Sequence, residues 1–263
     1  MAVVRLCRPE VRNAMNGELI DALADAVERL ACDDGARSVI ITGGDGAFSA
    51  GGDLRLIAHY RGGPAVGVRE LAGKLHQAVI GIRRMPKPVI AAVSGAAAGA
   101  GMSLALACDL RVMARSARFV LAYTSRGLSV DGGASFSLPR LVGLARALEI
   151  AALDEPISAE RALAWGLATR VVDDEHVFDA ALALARQLAG RSVHAFGTTK
   201  RLLVDSFGRT LEAQLDLEQE MLERCAAHAD GAEGLAAFGE KREPAFRRRS
   251  PAARKGRRAG GGR

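Results

Sequence analysis

Two glycine-rich stretches, Phe48–Leu54 (Phe-Ser-Ala-Gly-Gly-Asp-Leu) and Pro88–Gly101, and a lone acid at Asp131 are the residues whose types and spacing suit chemistry. Each stretch follows or contains a β-branched, strand-like run, Ser38–Thr42 and Pro88–Val93, and then opens into glycine and alanine without bulky side chains. Such openings let a ligand reach backbone N–H groups. Two N–H groups aimed at one point stabilise an anionic oxygen such as that of a thioester enolate, each worth roughly 3 kcal/mol in a transition state. A single carboxylate nearby supplies the other half of such chemistry, moving a proton.

The elements that must hold these residues alternate. Asn16 caps a helix over Gly17–Cys32, with Leu19, Leu23, Ala26, Val27 and Leu30 on one face and Asp21, Asp25 and Glu28 on the other. A strand at Val39–Thr42, a helix near Val68–Arg84, a strand at Val89–Val93 and a helix near Gly99–Ala107 follow. Asp109–Ala114 and Arg118–Leu121 read as two further short strands. Strand–helix alternation implies parallel crossovers, hence an α/β core. From Arg140 the pattern turns helical: Ala145–Leu153, Ser158–Trp165, Val177–Leu188, His194–Ser206 and Leu211–Arg224, with one short strand at Ala168–Val172. The expected organisation is a core over residues 1–190, a helical region over 191–246 and a disordered basic tail over 247–263.

Bulk properties narrow the classes. At 49% hydrophobic and 25% charged, the chain reads as an ordinary globular protein. Its net charge of +6 belongs to the tail, whose eight Lys and Arg after Phe246 carry no acid among them; without them the balance is −2. With one Trp and two Tyr there is no aromatic interleaving for base stacking, so nucleic acid is not expected as a partner. The most apolar segment, Val89–Leu106, is broken by glycine and serine and is too alanine-rich for a membrane span. Cys7, Cys32, Cys108 and Cys225 have no paired spacing and no hydrophobic signal precedes them, which predicts reduced thiols, no metal site and a cytoplasmic location.

Four motifs in order resemble the crotonase superfamily, the enoyl-CoA hydratase/isomerase family: Arg8-Pro9-Glu10-Val11-Arg12-Asn13-Ala14-Met15-Asn16, Phe48–Leu54, Lys87–Asp109 and Gly234–Phe246. The resemblance covers nearly the whole chain except the tail. It implies a crotonase-like (ββα)n spiral core with a helical C-terminal trimerisation region, and a homotrimer or dimer of trimers. It also implies an acyl-CoA thioester substrate and no cofactor beyond the coenzyme A of that substrate. The chain begins at Met1–Leu6, where members of the family usually have a further strand and turn, so a late start or a shortened sheet edge is expected.

By the same resemblance the thioester oxygen lies between the N–H groups of Gly52 and Ala100, the latter in Gly99-Ala100-Gly101 where many relatives have three glycines. The backbone around Ala50 is implied to meet the adenine, and Arg55 and Lys241 the CoA phosphates, Lys241 from a neighbouring subunit. Asp53 reads as a helix cap. The two glutamates of the family's hydratases match Ser103 and Tyr123, neither a carboxylate, while Asp131 matches the acid/base aspartate of several isomerases. His76 matches a histidine of the family's dehalogenases, in which an aspartate at the position of Asp131 is the nucleophile. The leading expectation is therefore an isomerase moving a carbon–carbon double bond. A hydratase, a displacement enzyme acting through an Asp131 ester and a catalytically silent acyl-CoA-binding protein stay open beside it.

Overall fold

A computed structural model describes residues 1–246, and the basic tail read at 247–263 lies outside the described residues. The chain divides into two compact units, one ending at Leu188 and one beginning at Ala189. In chain order the first contains β1 (Ala2–Arg5), α1 (Gly17–Cys32), β2 (Val39–Thr42), α2 (Leu54–Ala58), α3 (Pro64–Arg84) and β3 (Val89–Val93). It continues through β4 (Ala96–Ala98), α4 (Ala100–Ala107), β5 (Leu110–Ala114), β6 (Arg118–Val120), α5 (Ala134–Leu153), β7 (Ile157–Ser158), α6 (Ala159–Ala164), β8 (Arg170–Val172) and all but the last residue of α7 (Val177–Ala189). The second unit is helical, with α8 (Val193–Asp205), α9 (Leu211–Ala227) and α10 (Ala229–Gly239).

The main sheet is wholly parallel in the order β1-β2-β3-β5-β8. Every residue of β2 and β3 is buried, which is why these strands read as continuous apolar runs rather than alternating ones. Helices α1 and α3 pack side by side. Asn16 caps α1 by accepting from the Leu19 N–H at 3.0 Å, as its position before the amphipathic run predicts. At the other end of α1 the Lys87 ammonium, in a residue only 6% exposed, donates to the carbonyls of Leu30 and Asp33. Burial lowers the pKa of this lysine, and those carbonyls satisfy the charge.

A second, three-stranded sheet has the order β4-β6-β7. It was not expected from the sequence, because Ala96–Ala98 reads as part of a small-residue loop. Its pairing is long-range, with Ala97 opposite Phe119 and an isolated parallel bridge from Ala97 to Ser49. Helix α5 begins at Ala134, eleven residues earlier than its expected start. Gly143 breaks it with φ 77° and ψ 160°, and the segment expected at Ala145–Leu153 is the part after that break. Late α10 also escaped the sequence reading, whereas α2 begins after Asp53, the residue read as a cap. No described helix is long and apolar enough to cross a membrane.

Candidate active site

The two glycine-rich stretches meet backbone to backbone. Ser49 N–H donates to the Ala96 carbonyl at 3.2 Å, and Ala98 N–H donates to the Ser49 carbonyl at 2.9 Å. Gly51 has φ +89°, and a Cβ there would lie 2.6 Å from the Ala98 oxygen and 3.2 Å from the Ala100 nitrogen. A Cβ on Gly101 would lie 2.5 Å from the Ser49 oxygen. The glycines are therefore demanded by the approach of the loops, beyond any gain in loop freedom. The approach leaves the N–H groups of Gly52 and Ala100 without a hydrogen-bond acceptor among the described residues. Ala100 opens α4, where an N–H lacks an intrahelical acceptor and carries the positive end of the helix dipole.

The Arg8–Asn16 segment clamps the first loop. Asn13, 1% exposed, donates from Nδ2 to the carbonyls of Gly43 and Ala47 at 2.9 and 2.8 Å and accepts the Arg8 N–H on Oδ1. Met15 N–H donates to the Gly51 carbonyl, and Asp53 N–H donates to the Met15 carbonyl. The Arg8 guanidinium reaches the Ala14 carbonyl at 2.7 Å and Asp53 at 3.1 Å. Asp53 caps α2 through the Leu56 N–H. Burial would raise the Asp53 carboxyl, but that N–H and the Arg8 guanidinium outweigh it and hold the pKa below its ordinary value.

These loops form one side of a cavity of about 360 Å³. Ala50, Gly52 and Ala100 line it, as do Tyr123 and Asp131 from the segment between β6 and α5. Asp131 sits just before α5, its side chain 28% exposed, with Oδ1 2.6 Å from His76 Nε2 on α3. Its backbone carbonyl accepts the Ser103 hydroxyl at 2.8 Å. Ser103 Oγ is also 3.2 Å from the Gly99 carbonyl and 3.4 Å from the Tyr123 hydroxyl. Burial pushes the Tyr123 phenol up to about 12, so it is a neutral donor throughout the ordinary pH range.

The cavity thus gathers five residues expected from the sequence, and Ser103 and His76, which do not line it, each contact Asp131. Arg55, exposed on α2, is not among the lining residues. Lys241 belongs to the second unit, at φ +53°.

The model of the Enoyl-CoA hydratase/isomerase family matches residues 1–249. The chain belongs to this family. Within it, the chain is 40% identical to a 1,2-epoxyphenylacetyl-CoA isomerase of Escherichia coli strain K12, over 92% of each protein. It is 34% identical to 4-chlorobenzoyl coenzyme A dehalogenase-1 of Arthrobacter sp, across 92% of this chain and 88% of that one. The crystal structure of an enoyl-CoA hydratase from Polaromonas sp. JS666 superposes with a TM-score of 0.88 at 43% identity, covering 93% of this chain and 95% of that one. The fold is accordingly that of the crotonase superfamily, as the four motifs implied.

Some members of the site were not found from the sequence of this family member. Asn13 and Arg8 lie in a quoted motif, but their function as a clamp emerges only from partners 30 or more residues away. The contact between His76 and Asp131 spans 55 residues. Arg126, a cation lining the cavity from the turn after Tyr123, was not singled out, since one arginine in a basic chain carries no signal.

Proposed function

We propose that the protein is an acyl-CoA isomerase that shifts a carbon–carbon double bond through a thioester enolate. What carries this reading is the presence in one cavity of a single carboxylate, Asp131, together with the two unengaged N–H groups of Gly52 and Ala100. A 3-enoyl thioester held by those donors becomes acidic at its α carbon. Asp131 takes that proton as the electron pair moves into the carbonyl, and the dienolate oxygen is stabilised by both N–H groups. Return of the proton to the γ carbon gives the 2-enoyl product and restores the carboxylate. His76 fixes the carboxylate orientation, and the neutral Tyr123 hydroxyl is a donor in the cavity wall. The backbone around Ala50 is assigned to the adenine of CoA, and Arg55, with Lys241 of a neighbouring subunit, to its phosphates. The reaction as written consumes no metal or redox group.

Hydration is less well supported. It needs a water held between two basic groups, whereas the Ser103 proton is directed at backbone carbonyls and Tyr123 is a neutral phenol. The 2.6 Å contact from His76 to Asp131 favours one second reading, in which Asp131 displaces a leaving group and His76 takes the proton of the water that cleaves the ester. Assembly as a trimer or dimer of trimers in the cytoplasm is part of the proposal. Exposed Leu211, Leu222 and Phe238 in the helical unit, the last 86% exposed, support association.

Proton NMR of the purified protein with 3-enoyl-CoA and 2-enoyl-CoA in deuterated water tests the reading. Double-bond migration with deuterium entering at the α or γ carbon is expected. A 3-hydroxyacyl product would replace it with hydration, and halide release from a haloaroyl-CoA without double-bond migration would replace it with displacement.

A further inference from the structure

Of the residues lining the cavity, two are charged: Asp131 and Arg126. Asp131 has His76 at 2.6 Å, whereas the Arg126 side chain makes no hydrogen bond or ion pair with any described residue. The backbone beneath Arg126 is nevertheless tightly fixed. Arg126 N–H and Leu128 N–H both donate to the Tyr123 carbonyl, at 2.9 and 3.0 Å. The Asp154 carboxylate accepts the N–H groups of Ala122 and Ser125 at 2.5 and 2.9 Å, and Thr124 Oγ1 donates to the Ala151 carbonyl. Burial would raise the Asp154 carboxyl, but these donors hold it below its ordinary value. An otherwise exposed turn is thereby pinned at the rim of the cavity with an unpaired guanidinium on it.

The side of the ligand that Arg126 meets follows from the chemistry, and this step rests on the acyl-CoA reading above. With the thioester oxygen on Gly52 and Ala100, Asp131 must reach carbons within a few bonds of the carbonyl. The segment that carries Asp131 therefore faces the acyl chain, while the Ala50–Leu54 segment faces the coenzyme. Arg126 is five residues before Asp131 in the acyl-facing segment. Apart from the hydroxyls of Tyr123 and Ser129 the rest of that region is apolar, including Leu71, Leu75, Leu128 and Val130. A guanidinium fork recognises a carboxylate by paired charge-assisted hydrogen bonds, geometry that a neutral alkyl terminus cannot use.

We infer that Arg126 is a specificity-determining residue, selecting acyl-CoA thioesters whose acyl chain carries a carboxylate at its far end. Isothermal titration calorimetry with two saturated six-carbon thioesters, hexanoyl-CoA and adipoyl-CoA, tests this without requiring turnover. The wild-type protein is expected to bind adipoyl-CoA about tenfold tighter or better, and Arg126→Met to bring the ratio of the two affinities close to one. Arg126→Lys is expected to keep part of the preference, since it retains the charge and loses the fork.

Equal wild-type affinities would overturn the inference. So would an Arg126→Met protein that weakens both thioesters and free CoA alike, which would assign the guanidinium to a coenzyme phosphate. Failure of the wild-type protein to bind either thioester or CoA would instead remove the acyl-CoA reading beneath it, and the inference with it.

Discussion

The two sides of the cavity are built on different principles. The side carrying Gly52 and Ala100 is backbone against backbone: Ser49 pairs with Ala96 and Ala98, Met15 brackets Gly51 and Asp53, and a Cβ at Gly51 would collide with a carbonyl. The side carrying Tyr123, Arg126 and Asp131 is held mainly by side chains, namely Asp154 beneath the turn, Ser103 on the Asp131 carbonyl and His76 on its carboxylate. The first side offers N–H groups whose positions barely depend on which small side chain is present, so Ala100 serves where a glycine would. The second side offers functional groups that change with every substitution. On the proposed reading, a fixed anion-binding side and a replaceable proton-handling side let one fold serve several reactions on related thioesters.

The contrast is most sharply tested at Asp131. Asp131→Asn keeps the shape and His76 as a hydrogen-bond partner but removes the base, so kcat should fall by about 10²–10⁴ while CoA thioester affinity changes little. Single-turnover kinetics with calorimetric affinities measure both, and equal loss of binding would mean that Asp131 holds the ligand rather than moving its proton.

On the other side the corresponding change is Gly51→Ala, which alters no functional group. It forces a Cβ to within 2.6 Å of the Ala98 oxygen at φ +89°, so the loops must part and the N–H groups of Gly52 and Ala100 must move with them. A fall in kcat of roughly 10²-fold is expected, with thermal stability also reduced. An unchanged kcat would show that the backbone side tolerates distortion and would erase the contrast. Asn13→Ala probes the same side from behind. The variant strands the Gly43 and Ala47 carbonyls, so urea unfolding should show a loss of about 2 kcal/mol with a smaller effect on turnover than Gly51→Ala.

The backbone-built side was the more legible one. The strands β2 and β3 announce themselves as β-branched runs, and glycine after such a run signals close approach, so the two loops were located from local pattern, while Gly52 and Ala100 within them came from the family resemblance. Asp53 as a cap was legible for the same reason, since its acceptor function lies three residues away. Asp131 was found through resemblance to a family motif, and its own neighbourhood, Asp-Gly-Gly, reads equally well as a turn. Its partner His76 lies on a helix 55 residues earlier, and no local periodicity reports such a pairing. The second sheet was missed because three alanines have weak strand propensity and are placed there by the Ser49 and Phe119 backbones. The early turns of α5 were missed because Pro139 and Gly143 suggest a breaker within a helix whose start they precede or interrupt.

The smallest expected effect concerns the neutrality of the side-chain-built wall. Burial raises the Tyr123 phenol from 10.0 to about 12, so the folded state binds its proton more tightly than the unfolded chain does. The stability linked to this group is fully present below the unfolded pKa near 10 and is lost as pH rises through the folded value. Wild-type stability should therefore show, relative to Tyr123→Phe, an additional loss of about 1 kcal/mol by pH 11, and no such difference in pH dependence below pH 9. Tyr60, the other tyrosine, is present in both proteins and cancels in the comparison. Chemical unfolding across this pH range measures the difference. Parallel curves would mean that water reaches the phenol in the folded state, and the wall would then be as wet as the surface around it. A difference that develops between pH 10 and 12 would establish Tyr123 as a protonated hydroxyl at every pH where the enzyme can act. That constancy separates it from Asp131, whose proton must come and go in each turnover of the proposed reaction.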